Sequence, residues 1–177
     1  MKINWDRIKI KELAAIVSEK LREKDIDAIL VGGACVSIYT TNKYASFDLD
    51  FVSHALLKNI TQTLLELGFK RESSRYFIRA DCPFFIEFVS PPAAIGNEPV
   101  TVKKEMKTRF GTIILLSPTD CVKDRLAAFY HWNDPQALEQ AIMVAKAQKI
   151  NLKEVKFWSE REGHKEKYAV FLKRFKG

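Results

Sequence analysis

Hydrophobic positions along this chain fall into two periods. Ile10, Leu13, Val17 and Leu21 recur at helical spacing and predict an amphipathic helix over residues 8–24. Ile29-Leu30-Val31 is an apolar run that stops at Gly32-Gly33, as a buried strand does. In Phe47-Asp48-Leu49-Asp50-Phe51 the period changes to two, placing Asp48 and Asp50 on one face and the apolar residues on the other. Leu57, Ile60, Leu64 and Leu67 give a second helical stripe, closed by Gly68 in the C′ position. Short strands are expected at Phe69 to Arg71 and Tyr76 to Ala80, joined by a hairpin-like turn at Glu72-Ser73-Ser74-Arg75. Phe84 to Val89 is the strongest strand pattern, and Ser90-Pro91-Pro92 stops it because proline supplies no ladder donor.

Residues 91–111 predict a loop or hairpin rich in Pro, Gly and Lys, with a strand at Val100 to Lys104. Thr112 to Leu116 is an apolar strand, followed by a helix start in which Ser117 is the N-cap, Pro118 fits N1 and Asp120 stands at N3. That helix is expected to turn Val122, Leu126 and Phe129 inward. Asp134 and Pro135 then cap and open a second helix with Leu138, Ala141, Ile142 and Ala145 on its buried face. Two further basic helices are expected near 151–162 and 164–174. The pattern predicts an α/β (α+β) chain: a mixed sheet with packed helices over residues 1–116, and a C-terminal helical extension over 117–177.

Composition adds boundaries. A chain of 177 residues is one domain by length, and no apolar run approaches a membrane span. The charged start lacks the apolar segment of a signal peptide. Cys35, Cys82 and Cys121 are scattered, which suggests free thiols in a reducing cytoplasm rather than a zinc site or disulfide frame. The net charge of +7 is concentrated in residues 100–110, a local +3, and 151–177, a local +4. Such patches suit a phosphate-rich partner, and equally a solvated face.

The candidate chemistry lies between residues 27 and 90. Gly32-Gly33 allows a tight turn and close approach of a ligand to the backbone. A helix starting there offers its first free N–H groups to an anion. Asp48 and Asp50 repel one another unless a cation lies between them, and oxygen-liking Mg²⁺ is the expected ion. Glu87 is the one charge in the aromatic strand, and a buried carboxylate needs a partner. Asp81, in a turn-like Asp81-Cys82-Pro83, competes with it for a place at the site.

The Gly-Gly turn, helix and Asp-x-Asp strand resemble the nucleotidyltransferase superfamily related to DNA polymerase β, in its minimal bacterial form. Asp48-Leu49-Asp50-Phe51, with Ser46 just ahead of the pair, is most similar to the AbiEii-like and MenT-like toxin transferases. The resemblance implies Mg²⁺-dependent transfer of a nucleotide from a nucleoside triphosphate to a hydroxyl of RNA such as a tRNA end, a protein or a small molecule, in a toxin or antitoxin component. It assigns metal ligation and catalysis to Asp48, Asp50 and Glu87, where many relatives have Asp in place of Glu87. It places Gly32, Gly33, Ser37 and Lys123 at the nucleotide phosphates. His131-Trp132-Asn133-Asp134 departs from the family's later Arg- and Asp-rich motif. A nucleotide-binding module without catalysis and a basic nucleic-acid-binding protein stay open as alternatives.

Overall fold

The computed structural model describes residues 3–177. A 3-10 turn at Trp5–Arg7 precedes α1 (Ile10–Arg22), β1 (Ile29–Val31), α2 (Gly32–Tyr39), β2 (Asp48–Val52) and α3 (Leu57–Glu66). Next come β3 (Lys70–Ser73), β4 (Tyr76–Ile78), β5 (Phe85–Val89), β6 (Ala94–Ile95), β7 (Glu98–Pro99), β8 (Lys103–Thr108) and β9 (Gly111–Leu116). The chain ends in α4 (Pro118–Trp132), α5 (Pro135–Ala147), α6 (Leu152–Arg161) and α7 (Lys165–Lys176).

Seven strands make one mixed sheet in the order β3-β4-β5-β2-β1-β9-β8, while β6 and β7 pair on their own. β1 is antiparallel to β2 and parallel to β9, and β2 is parallel to β5. Leu30 lies opposite Phe51 and Leu115, and Phe51 opposite Phe88, so these four share one face of the sheet. All are fully buried, together with Leu13, Val17 and Leu21 of α1 and Leu64 of α3. Phe51 stacks on Phe88 with centroids 5.7 Å apart, and Phe77 meets Phe88 edge-on at 6.0 Å. Each such side chain contributes about 1.5–3 kcal/mol of burial free energy before entropy costs. That anchorage fixes β2 and β5 firmly enough for their other face to carry charge.

The last four helices close on the same core. α4 packs on α5, α2 and α6, and α5 reaches α7. Tyr130 stacks on Trp158 at 5.6 Å and shares a 2.8 Å hydrogen bond with the Ser159 hydroxyl. The Tyr39 hydroxyl of α2 donates to the Leu116 carbonyl, and the Gln148 amide donates to the Tyr39 carbonyl at 2.8 Å.

Two local expectations change. The strand expected at Val100 to Lys104 lies instead at Lys103–Thr108, preceded by the small β6–β7 pair. β8 is a charged edge strand, held by its ladder to β9 rather than by an apolar face. In α4, Val122 and Leu126 are buried as expected, but Tyr130 rather than Phe129 continues the inward stripe at the next i+4 position.

Candidate active site

β1 delivers the chain to Gly32, whose φ of +69° lies in the left-handed region that favours glycine. A Cβ there would stand 2.4 Å from Asp50 Oδ2, so the same residue also makes room for the carboxylate. At Gly33 an added Cβ would come within 3.0 Å of Ser46 Oγ. The opening N–H groups of α2 have no partners inside the helix, and the helix dipole favours negative charge beside them.

Across the sheet from this turn, Asp50 is in register with Val31 on one side and Glu87 on the other. Asp48, two residues earlier, shares the face. Its Oδ1 accepts a short hydrogen bond of 2.5 Å from the Ser46 hydroxyl. Among the described residues none of these three carboxylates has an ion-pair partner. Burial pushes the Asp50 carboxyl up to about 7, and repulsion from Asp48 and Glu87 adds to it. Arg125 on α4 partly offsets the rise, while Asp124 opposes that relief. Asp81 is taken up by Arg79, 2.7 Å away.

Two residues expected at the phosphates are engaged elsewhere. Ser37 is fully buried; its hydroxyl donates to the Tyr44 carbonyl at 2.8 Å and accepts from the Ser46 N–H at 2.9 Å. With its proton committed, Ser37 holds the loop that presents Ser46 to Asp48. Lys123 is also buried, with Nζ 2.8 Å from Asp120 and 2.9 Å from Glu154. It ties α4 to α6, because a buried ammonium needs close anionic partners. The cation that the Asp50 carboxyl feels is Arg125, whose guanidinium donates to Asp124 and to Gln140. Its sequence signal was its position three residues from the inward-facing Val122.

A cavity of about 450 Å³ is lined by Asp27, Ile29, Val52, His54, Val100 and Lys103 and does not include the carboxylates. A smaller one of about 180 Å³, under the β6–β7 pair, touches Val31, Val89 and Asp124 and so adjoins them.

Among the described residues no group of three His, Cys, Asp or Glu side chains forms a ready-made metal-holding cluster. The donor set still fits a hard cation. It consists of carboxylate oxygens without ion-pair partners, with Asp50 charged only at a cost. Mg²⁺ is commonly held by one or two carboxylates and completed by water and phosphate oxygens.

The mixed sheet, the glycine turn opening a helix, and acidic residues on adjacent strands define the nucleotidyltransferase fold. The chain is similar to an antigenic nucleotidyltransferase-like protein from Paracoccidioides brasiliensis, with a TM-score of 0.61 and 16% identity over 77% of this chain and 75% of that one. It is also similar to the antibiotic-resistance factor ANT(2'')-Ia in solution, with a TM-score of 0.55 and 10% identity over 93% of this chain and 95% of that one. A crystal structure of ANT(2'')-Ia in complex with adenylyl-2''-tobramycin matches with a TM-score of 0.54 and 11% identity over 94% and 98% of the two chains. No family model matches the sequence, and no curated protein matches it significantly. No helix among the described residues is long and apolar enough to cross a membrane.

Proposed function

We propose that this protein is a Mg²⁺-dependent nucleotidyltransferase, moving a nucleoside monophosphate from a nucleoside triphosphate to a hydroxyl acceptor. The observation that carries this reading is the placement of Asp48, Asp50 and Glu87, without ion-pair partners, on one sheet face beside the Gly32-Gly33 helix start. Asp48 and Asp50 would hold the cation, with Glu87 as a further ligand; bound there, Mg²⁺ supplies charge neutralisation on the phosphate oxygens. Gly32 and Gly33 let the triphosphate approach the first amides of α2, which donate to its β- and γ-oxygens. Ser46 fixes the Asp48 carboxylate. Glu87 accepts the proton of the attacking hydroxyl. The acceptor oxygen forms a bond to the α-phosphorus, the bond from that phosphorus to the bridging oxygen breaks, and pyrophosphate leaves.

The acceptor falls among RNA, protein and small molecules; ANT(2'')-Ia, with its adenylyl-2''-tobramycin complex, exemplifies the last. The three cysteines, all free, suit a reducing cytoplasm, where a toxin or antitoxin component would act. The test is incubation of the protein with an α-labelled triphosphate, Mg²⁺ and separate RNA, protein and metabolite fractions. Label should enter one fraction with the parent and none with Asp48→Asn. Equal labelling by both proteins would remove the carboxylates from the chemistry.

A further inference from the structure

Helix α4 carries Cys121, Arg125, Ala128 and Trp132 on one stripe, because at about 100° per residue these positions fall within about 60° of one another. The first half of that stripe meets α2: Cys121 lies within electrostatic reach of Cys35, as does Arg125. At the far end of α2, the Tyr39 hydroxyl donates to the Leu116 carbonyl just before α4, and the Tyr39 carbonyl accepts from Gln148 just after α5. α2 therefore runs antiparallel to α4 and parallel to α5. From Tyr39 back to Gly32 is about 10 Å of helix, and from Gln148 back to Gln140 about 12 Å. The start of α2 thus falls near the level where Arg125 reaches Gln140, 3.4 Å away.

Beyond that level α4 and α5 run on for about two turns and one turn without α2 beside them. Exposure changes there on both helices. Cys121 and Gln140 are buried, whereas Gln136, one turn before Gln140, is exposed and Trp132 is 81% exposed. An indole on the stripe that faces α2 is bare because α2 begins only at Gly32. Helical side chains lean toward the helix N-terminus, so this ring reaches back toward the glycine turn. Resting on the transferase reading, we propose that Trp132 is the stacking platform for the base of the nucleoside triphosphate, in the recess that α4 and α5 leave beyond the start of α2.

The occupant follows from what the rest of the site already serves. The first amides of α2 take the β- and γ-oxygens, and Asp48 and Asp50 hold the cation beside the α-phosphate. Displacement at phosphorus is in-line, here from the side of Glu87 toward α2. The ribose hangs from the α-phosphorus at right angles to that line, and the last turns of α4 wall one such direction. What remains of the donor to be bound is a sugar and a flat base. An exposed indole offers such a base a rigid π face with few rotatable bonds to immobilise, and a charged side chain does not.

The experiment is calorimetry of the Mg²⁺ complexes of the four ribonucleoside triphosphates in turn, and of inorganic tripolyphosphate, which has no base. The parent should bind at least one triphosphate more tightly than tripolyphosphate. Trp132→Ala should weaken that triphosphate by about 5- to 150-fold, the equivalent of one lost base–aromatic stack, and leave tripolyphosphate unchanged. Trp132→Phe should restore most of the loss. Equal triphosphate binding by the parent and Trp132→Ala would overturn the platform and leave the transferase reading standing. So would a parent that binds tripolyphosphate as tightly as every triphosphate. Equal weakening of both ligands in Trp132→Ala would mean that the ring supports the phosphate site or the fold, and would overturn the proposal too. A parent that binds neither ligand overturns the platform together with the reading it rests on. Ring-dependent triphosphate binding in a parent that transfers no label supports the platform and sinks the transferase reading alone.

Discussion

Replacing Asp50 by asparagine should stabilise the protein in the absence of metal, and the gain should grow with pH. The Asp50 carboxyl stands at about 7 in the folded state, against an ordinary value of 3.8. The causes are burial first, then Asp48 on β2 and Glu87 on β5, with Arg125 opposing and Asp124 assisting from α4. Between these two values the folded state binds the proton that the unfolded state has lost, so stability falls as pH rises from about 4 to about 7. At pH 8 the full difference applies, about 4 kcal/mol at 1.36 kcal/mol per pH unit. At pH 5 only about 1.5 kcal/mol of it has developed. The substituted side chain cannot ionise, so urea unfolding of Asp50→Asn at the two pH values should show the variant's advantage widening by about 2–3 kcal/mol. The absolute gain will be smaller than the full difference, because a half-buried amide also needs hydrogen-bond partners. If the advantage stays constant with pH, or the variant is the less stable protein at pH 8, Asp50 belongs to a structural ion pair and the electrostatic reasoning fails.

Gly32→Ala should cost at least about 1 kcal/mol from its positive φ, and more from the clash with Asp50 Oδ2; chemical denaturation measures the loss, and an unaffected midpoint would contradict the close approach. Ser46→Ala removes a hydrogen bond to a carboxylate, typically about 1.5–3 kcal/mol, and should weaken Mg²⁺-dependent triphosphate binding in calorimetry by releasing Asp48. Lys123→Met should lower stability by about 2–4 kcal/mol, since it leaves buried Asp120 without its cation. Triphosphate affinity should be unchanged in Lys123→Met, whereas a phosphate-binding lysine would show the opposite pattern.

What the sequence made legible was local. The apolar run that stops at Gly32 and the period of two through Asp48 and Asp50 fix strand, turn and face with no knowledge of partners. Glu87 stands out because a charge in an aromatic strand has few reasons to be there, and the register sets it beside Asp50. Contacts between distant segments are not legible in this way. Lys123 meets Glu154 across 31 residues of chain, and nothing in α4 alone distinguishes that destination from a phosphate. Ser37 finds its partners in a loop whose path no periodicity encodes. His131 and His164 lack any sequence spacing that would pair them, yet their rings come within 5.1 Å. The Lys-rich alternation of β8 has no apolar face to mark its bounds; its pairing with β9 is specified by backbone hydrogen bonds and the turn at Gly111.

The most direct test of the site is calorimetric titration of a non-transferable triphosphate analogue into the parent and Asp48→Asn, each with and without Mg²⁺. A joint dependence is expected: tight binding to the parent only when Mg²⁺ is present, and loss of the Mg²⁺ effect in the variant. Binding that is equally strong without Mg²⁺, or equally strong in Asp48→Asn, would contradict a carboxylate-held cation at this sheet face.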